Sequence, residues 1–162
     1  MTRIIEASGH AFLSRYGKRQ VAASMYVKGK AFIGATILLR RQGNSEGTDH
    51  VLLHLLCQGI EVTLKGLLLL RDYDRFIVRL RKPLGHNLFK VAKEASTAYG
   101  LKPLRGDLDG ELRTLNNLYS QHLLRYGSEY DILVDPRTIP RELVFRRLAA
   151  VIRLAERELK RG

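Results

Sequence analysis

The chain has 162 residues, of which 45% are apolar, and its 28 Lys and Arg residues against 16 Asp and Glu residues give a net charge of +12. A chain of this length fits one domain that buries about 70% of its unfolded surface, so it needs no disulfide or metal to hold a core. Cys57 is the only cysteine, which excludes an intramolecular disulfide framework. We expect Cys57 to be a core residue and the protein to be cytoplasmic, where thiols stay reduced.

The apolar stretches and the excess of positive charge bear on the class of partner. The richest apolar stretch, Gly59 to Leu70, is interrupted by Glu61 and Lys65, whereas a membrane span needs about 18–20 apolar residues. We therefore expect no membrane partner. A strongly cationic chain attracts polyanions, so RNA or a nucleotide is an expected partner, although charge alone does not identify the polyanion.

Apolar residues recur at helical spacing along almost the whole chain, and no segment shows the alternation of a half-buried strand. We predict an all-α fold, an up-and-down bundle of about five helices in a single domain, residues 1–162. The first helix runs from about Lys18 to Arg41, and Gly29 and Gly34 each weaken it by about 1 kcal/mol relative to Ala unless one is a close-contact point. Its predicted inner stripe is Val21, Met25, Phe32, Ala35 and Leu39.

The second helix is predicted from Thr48 or Asp49, either of which can cap it, to about Leu70. It is apolar on more than one side, so we expect it to be the central helix. A basic, turn-prone stretch follows from Arg71 to Gly85. The third helix then runs from about Asn87 to Tyr99, with Gly100 as its stop signal.

Two further helices complete the bundle. The fourth runs from about Asp109 to Tyr126 and is closed by Gly127. The fifth starts in the segment Asp135–Pro140 and covers about residues 138–160. The fourth helix carries an inner stripe at steps of three and four: Leu108, Leu112, Leu115, Tyr119, His122 and Tyr126. The residues expected to face inward on the fifth are Val144, Leu148, Val151, Ala155 and Leu159.

The most informative segment is the middle of the second helix, where polar residues recur on one side of an apolar stretch. His54, Gln58, Glu61 and Lys65 are separated by three or four residues, which makes them neighbours on one helix face. Glu61 and Lys65 have the favourable order for an ion pair. Two interpretations stay open: a charged pair at the rim of the core, or part of an internal polar network.

Three motifs in a fixed order resemble a known family. Glu61-Val62-Thr63-Leu64-Lys65 lies at the centre of the apolar helix, Gly85-His86-Asn87-Leu88 opens the next helix, and the segment from Tyr119 to Arg125-Tyr126-Gly127 is aromatic and ends in an Arg-Tyr pair. Together, over about residues 48–130, they resemble the HEPN (higher eukaryotes and prokaryotes nucleotide-binding) group. The resemblance implies a helical bundle that forms a homodimer, and a polar network of Glu61, Lys65, Asn87 and His54 around His86.

Many members of that group are metal-independent ribonucleases that use an Arg followed four to six residues later by a His. Four residues separate Arg81 from His86 and six separate Arg79 from His86, so the resemblance implies catalytic roles for these three residues. A histidine can accept the 2′-hydroxyl proton while a guanidinium stabilises charge on the phosphate. Lys82 stands where the family commonly has Asn, Asp or His, and Pro83 breaks any continuous helix, so the Arg/His pair requires a bent loop or a second subunit.

Three functions remain open at this stage. The first is a non-catalytic HEPN-like protein that binds RNA, a nucleotide or a partner protein, with Lys82, Lys90, Arg125 and Tyr126 as nucleic-acid contacts. The second is a metal-independent ribonuclease or a toxin component restrained by a partner, and the third is a basic DNA-binding domain. The scattered histidines show no metal-ligand spacing and the glycines form no phosphate-binding loop, so we expect neither a metal nor a cofactor.

Overall fold

The structure is a computed structural model, and it describes residues 13–42, 48–103, 105–126 and 135–160. In these ranges all regular secondary structure is helical and no strand occurs, which confirms the all-α prediction. The α-helices, numbered in chain order, are α1 Arg15–Gln42, α2 Thr48–Arg71, α3 Tyr73–Ile77, α4 Leu88–Ala98, α5 Asp107–Ser120, α6 Leu123–Tyr126 and α7 Glu142–Lys160. A 3-10 turn, Pro136–Thr138, precedes α7.

Helix α2 is the centre of the bundle, as its composition predicts. It contacts all six other α-helices, and Leu53, Leu56, Cys57 and Leu68 on it are fully buried. Burial, with a smaller contribution from the charge of Glu61, raises the pKa of the Cys57 thiol. Cys57 is therefore a core residue and not a reactive thiol.

Helix α1 packs on α2 through glycines that allow the two backbones to approach closely. A Cβ atom on Gly29 would overlap the side chain and backbone of Thr63, and one on Gly66 would lie 2.7 Å from the backbone nitrogen of Tyr26. Gly29 is thus a close-contact point, which is one of the two alternatives predicted for the glycines of α1. Gly34 has no described atom within 4 Å of where its Cβ would lie.

The predicted inner stripe of α1 was wrong by one residue. Its members, from Val21 to Leu39, are only partly buried, and the buried positions are Ala22, Tyr26, Gly29, Ile33 and Thr36. One residue corresponds to a rotation of about 100° around the helix axis. The reason is that Gly29 approaches Thr63 on α2 and the backbone of Tyr26 approaches Gly66, and these close contacts determine which side of α1 is buried.

Helix α4 matches the predicted third helix, whereas the basic stretch before it is not all turn. Asn87 caps α4 by accepting a hydrogen bond from the backbone of Lys90 at 2.8 Å. Gly100, at a φ of 60°, ends it. In the preceding stretch α3 forms because the Asp72 carboxylate caps the backbone nitrogen of Arg75 at 3.1 Å. Thr48 and Asp49 both lie in the first turn of α2, and the residues before Thr48 lie outside the described part of the chain.

The fourth predicted helix is interrupted. Helix α5 ends at Ser120, His122 adopts a left-handed φ of 59°, and α6 restarts at Leu123. The break lets Leu124 enter the core and leaves His122 exposed, so His122 does not belong to the inner stripe. Gly127 lies outside the described residues.

The last helix starts later than predicted, at Glu142, because the 3-10 turn from Pro136 and then Pro140 precede it. Its expected inner residues Val144, Leu148 and Val151 are buried. The side chains of Ala155 and Leu159 lie outside the described part of the chain.

Among the described residues, two helices are long and apolar enough to cross a membrane, contrary to the expectation that no apolar stretch is long enough. In α2, 78% of the most apolar window is buried inside the protein, as in the core helix of a bundle. In α1 the corresponding share is 28%, and that helix lies near the N-terminus. The absence of a membrane partner stays a prediction.

Candidate functional site

A buried carboxylate lies where α2 meets α5 and the loop before α4. Glu61 is 3% exposed, and its Oε1 accepts a hydrogen bond from Nζ of Lys65 at 2.6 Å. The same ammonium donates to the carbonyl of Gly85, also at 2.6 Å. Lys65 thereby connects the centre of α2 to the Gly85-His86 step, so the two segments meet although they are separate in the chain.

Tyr119 on α5 binds the other carboxylate oxygen. Its hydroxyl donates to Oε2 of Glu61 at 2.5 Å and lies 2.6 Å from Oε1 of Gln58. The ring of His54 lies beside the Tyr119 ring, with centroids 5.9 Å apart. The side chains that recur along α2 therefore form one polar face, and its contacts are with α5 and the loop.

Glu61 remains ionised because of these partners. Burial by itself raises its pKa, but the hydrogen bonds from Lys65, Tyr119 and His86 and the charge of Lys65 outweigh it and hold the pKa of Glu61 below its usual value. A carboxylate that is buried and ionised is a strong hydrogen-bond acceptor. It therefore determines the orientation of the groups that contact it.

His86 is the exposed member of this network. Its Nδ1 lies 3.2 Å from Oε2 of Glu61, while 58% of its side chain is exposed. An ionised carboxylate accepts and does not donate, so Nδ1 carries the proton in this contact. The neutral ring then has its lone pair on Nε2, the nitrogen that is left for a ligand.

His122 lies next to His86 and was not among the predicted site residues. The centroids of the two rings are 6.2 Å apart and their planes meet at 67°. The periodicity of the fourth helix placed His122 on its inner stripe, and only the break after Ser120 turns it outward. The sequence carries no local signal for that break, because neither Gln121 nor His122 is a helix breaker.

The two candidate arginines are not equivalent in the structure. Arg79 is held by Glu94, with Nη1 and Nη2 lying 2.5 and 3.3 Å from the two carboxylate oxygens. Arg81 is exposed, and its guanidinium makes no ion pair with any residue that the structure describes. The backbone turns back between these residues, since the carbonyl oxygen of Arg81 lies 3.6 Å from the position that a Cβ atom on Gly85 would take.

The remaining predicted site residues are dispersed. Asn87 caps α4 and makes no contact with Glu61 or Lys65 among the hydrogen bonds of the described residues. Lys82 and Lys90 are exposed. Arg125 and Tyr126 form the end of α6, and their side chains lie outside the described part of the chain.

Within the described ranges, no group of three or more His, Cys, Asp or Glu side chains is arranged to hold a metal ion. Comparisons with protein-family models, with curated proteins and with solved structures found no match to this chain.

Proposed function

We propose that the protein is a HEPN-like helical bundle, with its long helices in an up-and-down arrangement, that binds single-stranded RNA on the surface around His86. The observation that carries this proposal is an exposed imidazole, oriented by a buried carboxylate, in the middle of a cationic segment. RNA phosphates are the partner that this combination of groups suits.

The charge distribution around His86 supports a polyanionic ligand. From residue 75 to residue 93 the sequence contains six cations and no acid. Arg75 and Arg79 face Glu94. The other four are exposed and form no ion pair with a described residue: Arg81, Lys82, Lys90 and Lys93. Such cations are available to phosphates, and their effect is reinforced by the positive end of the α4 dipole beside Asn87.

The local shape favours a single strand over a duplex. Proteins bind single-stranded RNA with cations that follow its backbone and with flat rings on which bases stack. The exposed ring of His86 and the ring of His122 beside it offer such flat surfaces. Many duplex-binding domains instead place an exposed helix in the major groove, whereas α4 packs against both α2 and α5.

Fluorescence anisotropy with a labelled single-stranded RNA tests this proposal. We expect the double variant Lys82→Ala/Lys90→Ala to weaken binding by about tenfold, because it removes two phosphate contacts. The matched control is Lys28→Ala/Arg41→Ala, which removes two exposed cations of α1, and it should change the affinity by less than about twofold. Equal losses in both variants, or tighter binding to duplex DNA than to RNA, would contradict the proposal.

One observation favours a second function, association with a second copy of the chain. The outward face of α1 exposes Tyr16, Val27 and Leu38 at 73%, 63% and 61%. Gly34 on this helix adds open space for a close approach. We expect Val27→Asp/Leu38→Asp to convert a dimer into a monomer in light scattering coupled to size exclusion, with Lys28→Ala as the control. A wild-type protein that is monomeric at high concentration would rule this function out.

A further inference from the structure

A surface cavity lies between α4, α5 and the loop that joins them, and the polar network around Glu61 does not use it. Its volume is about 380 Å³, at the lower end of the about 300–1,000 Å³ typical of small-molecule sites. Its lining combines the apolar side chains of Phe89 and Leu101 with the cations Lys93 and Arg113. We propose that this cavity binds a small aromatic carboxylate, a function that goes beyond RNA binding and does not depend on it.

Arg113 is held in position before any ligand binds. Its Nε donates to Oδ2 of Asp109 at 2.6 Å, and its guanidinium carbon lies 4.0 Å from the centroid of the Phe89 ring. These two contacts fix the plane of the guanidinium, while 59% of the Arg113 side chain is exposed. Its two Nη atoms have no hydrogen-bond partner among the described residues. A planar guanidinium with free Nη donors binds a carboxylate through two parallel hydrogen bonds, so Arg113 is the group that holds the head of the ligand.

The charge of the cavity matches a singly charged head group. Its two cations are Lys93 and Arg113 and its one carboxylate is that of Asp109, which leaves one net positive charge. The Asp109 carboxylate is already occupied by Arg113, so it does not attract a cationic ligand. A carboxylate carries one negative charge and neutralises the site.

A second, apolar cavity adjoins the first and defines the body of the ligand. It lies between α2, α4, α5 and α7, has a volume of about 40 Å³, and shares Ser96 and Leu101 with the outer cavity. Since one water-sized group needs about 10–15 Å³, this space suits a short alkyl group. The Ser96 side chain between the two cavities is small, and its hydroxyl forms no hydrogen bond with a described residue. A ring beside Phe89 with a short alkyl substituent toward Ser96 therefore fits both cavities.

Amide chemical shifts of the nitrogen-15-labelled protein, titrated with 4-ethylbenzoate, test the proposal. We expect saturable shifts at residues 93–101 and 109–113, with a Kd of about 1 mM. Two matched ligands separate the contributions: 4-ethylbenzamide has the same shape without the charge, and benzoate lacks the ethyl group. Each should bind about tenfold more weakly than 4-ethylbenzoate.

Two variants test the two cavities separately. Arg113→Gln should weaken 4-ethylbenzoate binding by about tenfold and leave the neutral amide unchanged. Its matched control, Arg153→Gln, removes an exposed cation of α7 that lines neither cavity, and it should change the affinity by less than about twofold. Ala92→Val fills the inner cavity, so it should reduce the affinity for 4-ethylbenzoate to that for benzoate and leave benzoate binding unchanged.

The same spectra show whether each variant is folded. If Arg113→Gln is not folded, Arg113→Lys takes its place: it keeps the charge but loses the forked donors, and it should weaken binding by about fivefold. No saturable shift up to about 20 mM 4-ethylbenzoate overturns the proposal. Equal affinities for the carboxylate and the amide, wild-type affinity in the Arg113 variant, or shifts centred on His86 also overturn it. None of these results affects RNA binding, whose test uses Lys82 and Lys90.

Discussion

Glu61 and Lys65 are two charged side chains inside a helical core, at 3% and 8% exposure. Removing each charge from water costs several kcal/mol, and only close pairing with further hydrogen bonds offsets that cost. Glu61 has three such partners, Lys65, Tyr119 and His86, and Lys65 also donates to Gly85. The network therefore orders the loop before α4, and its removal affects stability as well as the orientation of His86.

Substitution of Glu61 by Gln should lower the free energy of unfolding by about 3–5 kcal/mol, because it leaves the buried ammonium of Lys65 without a counter-charge. Urea denaturation at pH 7 measures this. Asp109→Asn is the matched control: Asp109 and Arg113 form an ion pair with the same i, i+4 spacing, but Arg113 is largely exposed, so the loss should stay below about 1 kcal/mol. Equal losses of unfolding free energy in the two variants would show that burial does not increase the contribution of the Glu61–Lys65 pair to stability.

The same carboxylate predicts a pH dependence. Its pKa is lower in the folded protein than the ordinary value of about 4.3 for a glutamate in an unfolded chain. The stability it contributes is therefore complete above about pH 5 and is lost as the pH falls through the folded pKa. The gap in unfolding free energy between wild type and Glu61→Gln should shrink when urea titrations are repeated at pH 5, 4 and 3. A gap that stays constant would contradict this assignment.

At the scale of the elements, the packing of α1 on α2 depends on the absence of side chains at particular positions. Gly29 meets Thr63 and Gly66 meets Tyr26 so closely that neither has room for a Cβ atom. In a helix interior, Gly normally costs about 0.5–1 kcal/mol relative to Ala. Close helix contact offsets that cost here, which also explains why α1 does not present its large apolar stripe to α2.

Gly29→Ala and Gly34→Ala, both in the interior of α1, should have opposite effects. Gly29→Ala should destabilise the protein by about 1–3 kcal/mol because the new methyl group overlaps Thr63. Gly34→Ala should stabilise it by about 0.5–1 kcal/mol, since its Cβ meets open space. Thermal unfolding of the two variants measures both, and a stabilised Gly29→Ala would mean that α1 and α2 are farther apart.

At the scale of the whole molecule, some of the cations in residues 75–93 form ion pairs and the others are exposed to solvent. Glu94 holds Arg79 and lies near Arg75, and the last turn of α2 adds Arg71 stacked over Tyr99. The exposed cations Arg81 and Lys82 precede His86 in the sequence, and Lys90 and Lys93 follow it. Residues 75–93 carry six of the 28 cations and no acid, so the ionic strength should regulate binding to a polyanion.

The affinity for single-stranded RNA should fall steeply with salt. If Arg81, Lys82, Lys90 and Lys93 each neutralise one phosphate, the logarithm of the association constant should decrease with the logarithm of salt concentration with a slope of about −3. Lys82→Ala/Lys90→Ala should reduce the slope to about −1.4. Anisotropy titrations between low and moderate salt measure it, and a slope near zero would exclude phosphate contacts as the basis of binding.

The sequence by itself determined where α1, α2 and α4 lie and that α2 is central, because periodicity, caps and stop signals are local properties. The cap Asn87, the stop Gly100 and the apolar centre of α2 are each visible within a few residues. It also identified His86, Glu61 and Lys65 as residues of interest. The sequence did not show that Asn87 caps α4 and makes no described hydrogen bond to Glu61 or Lys65.

Only the tertiary structure decided how these helices face one another. The rotation of α1, the pairing of Arg79 with Glu94, and the meeting of His86 with His122 all depend on contacts between residues far apart in the chain. The break at His122 arises because packing of Leu124 in the core outweighs continuation of α5. The local sequence pattern does not indicate which of these two effects is stronger, because the core contacts of Leu124 come from other helices.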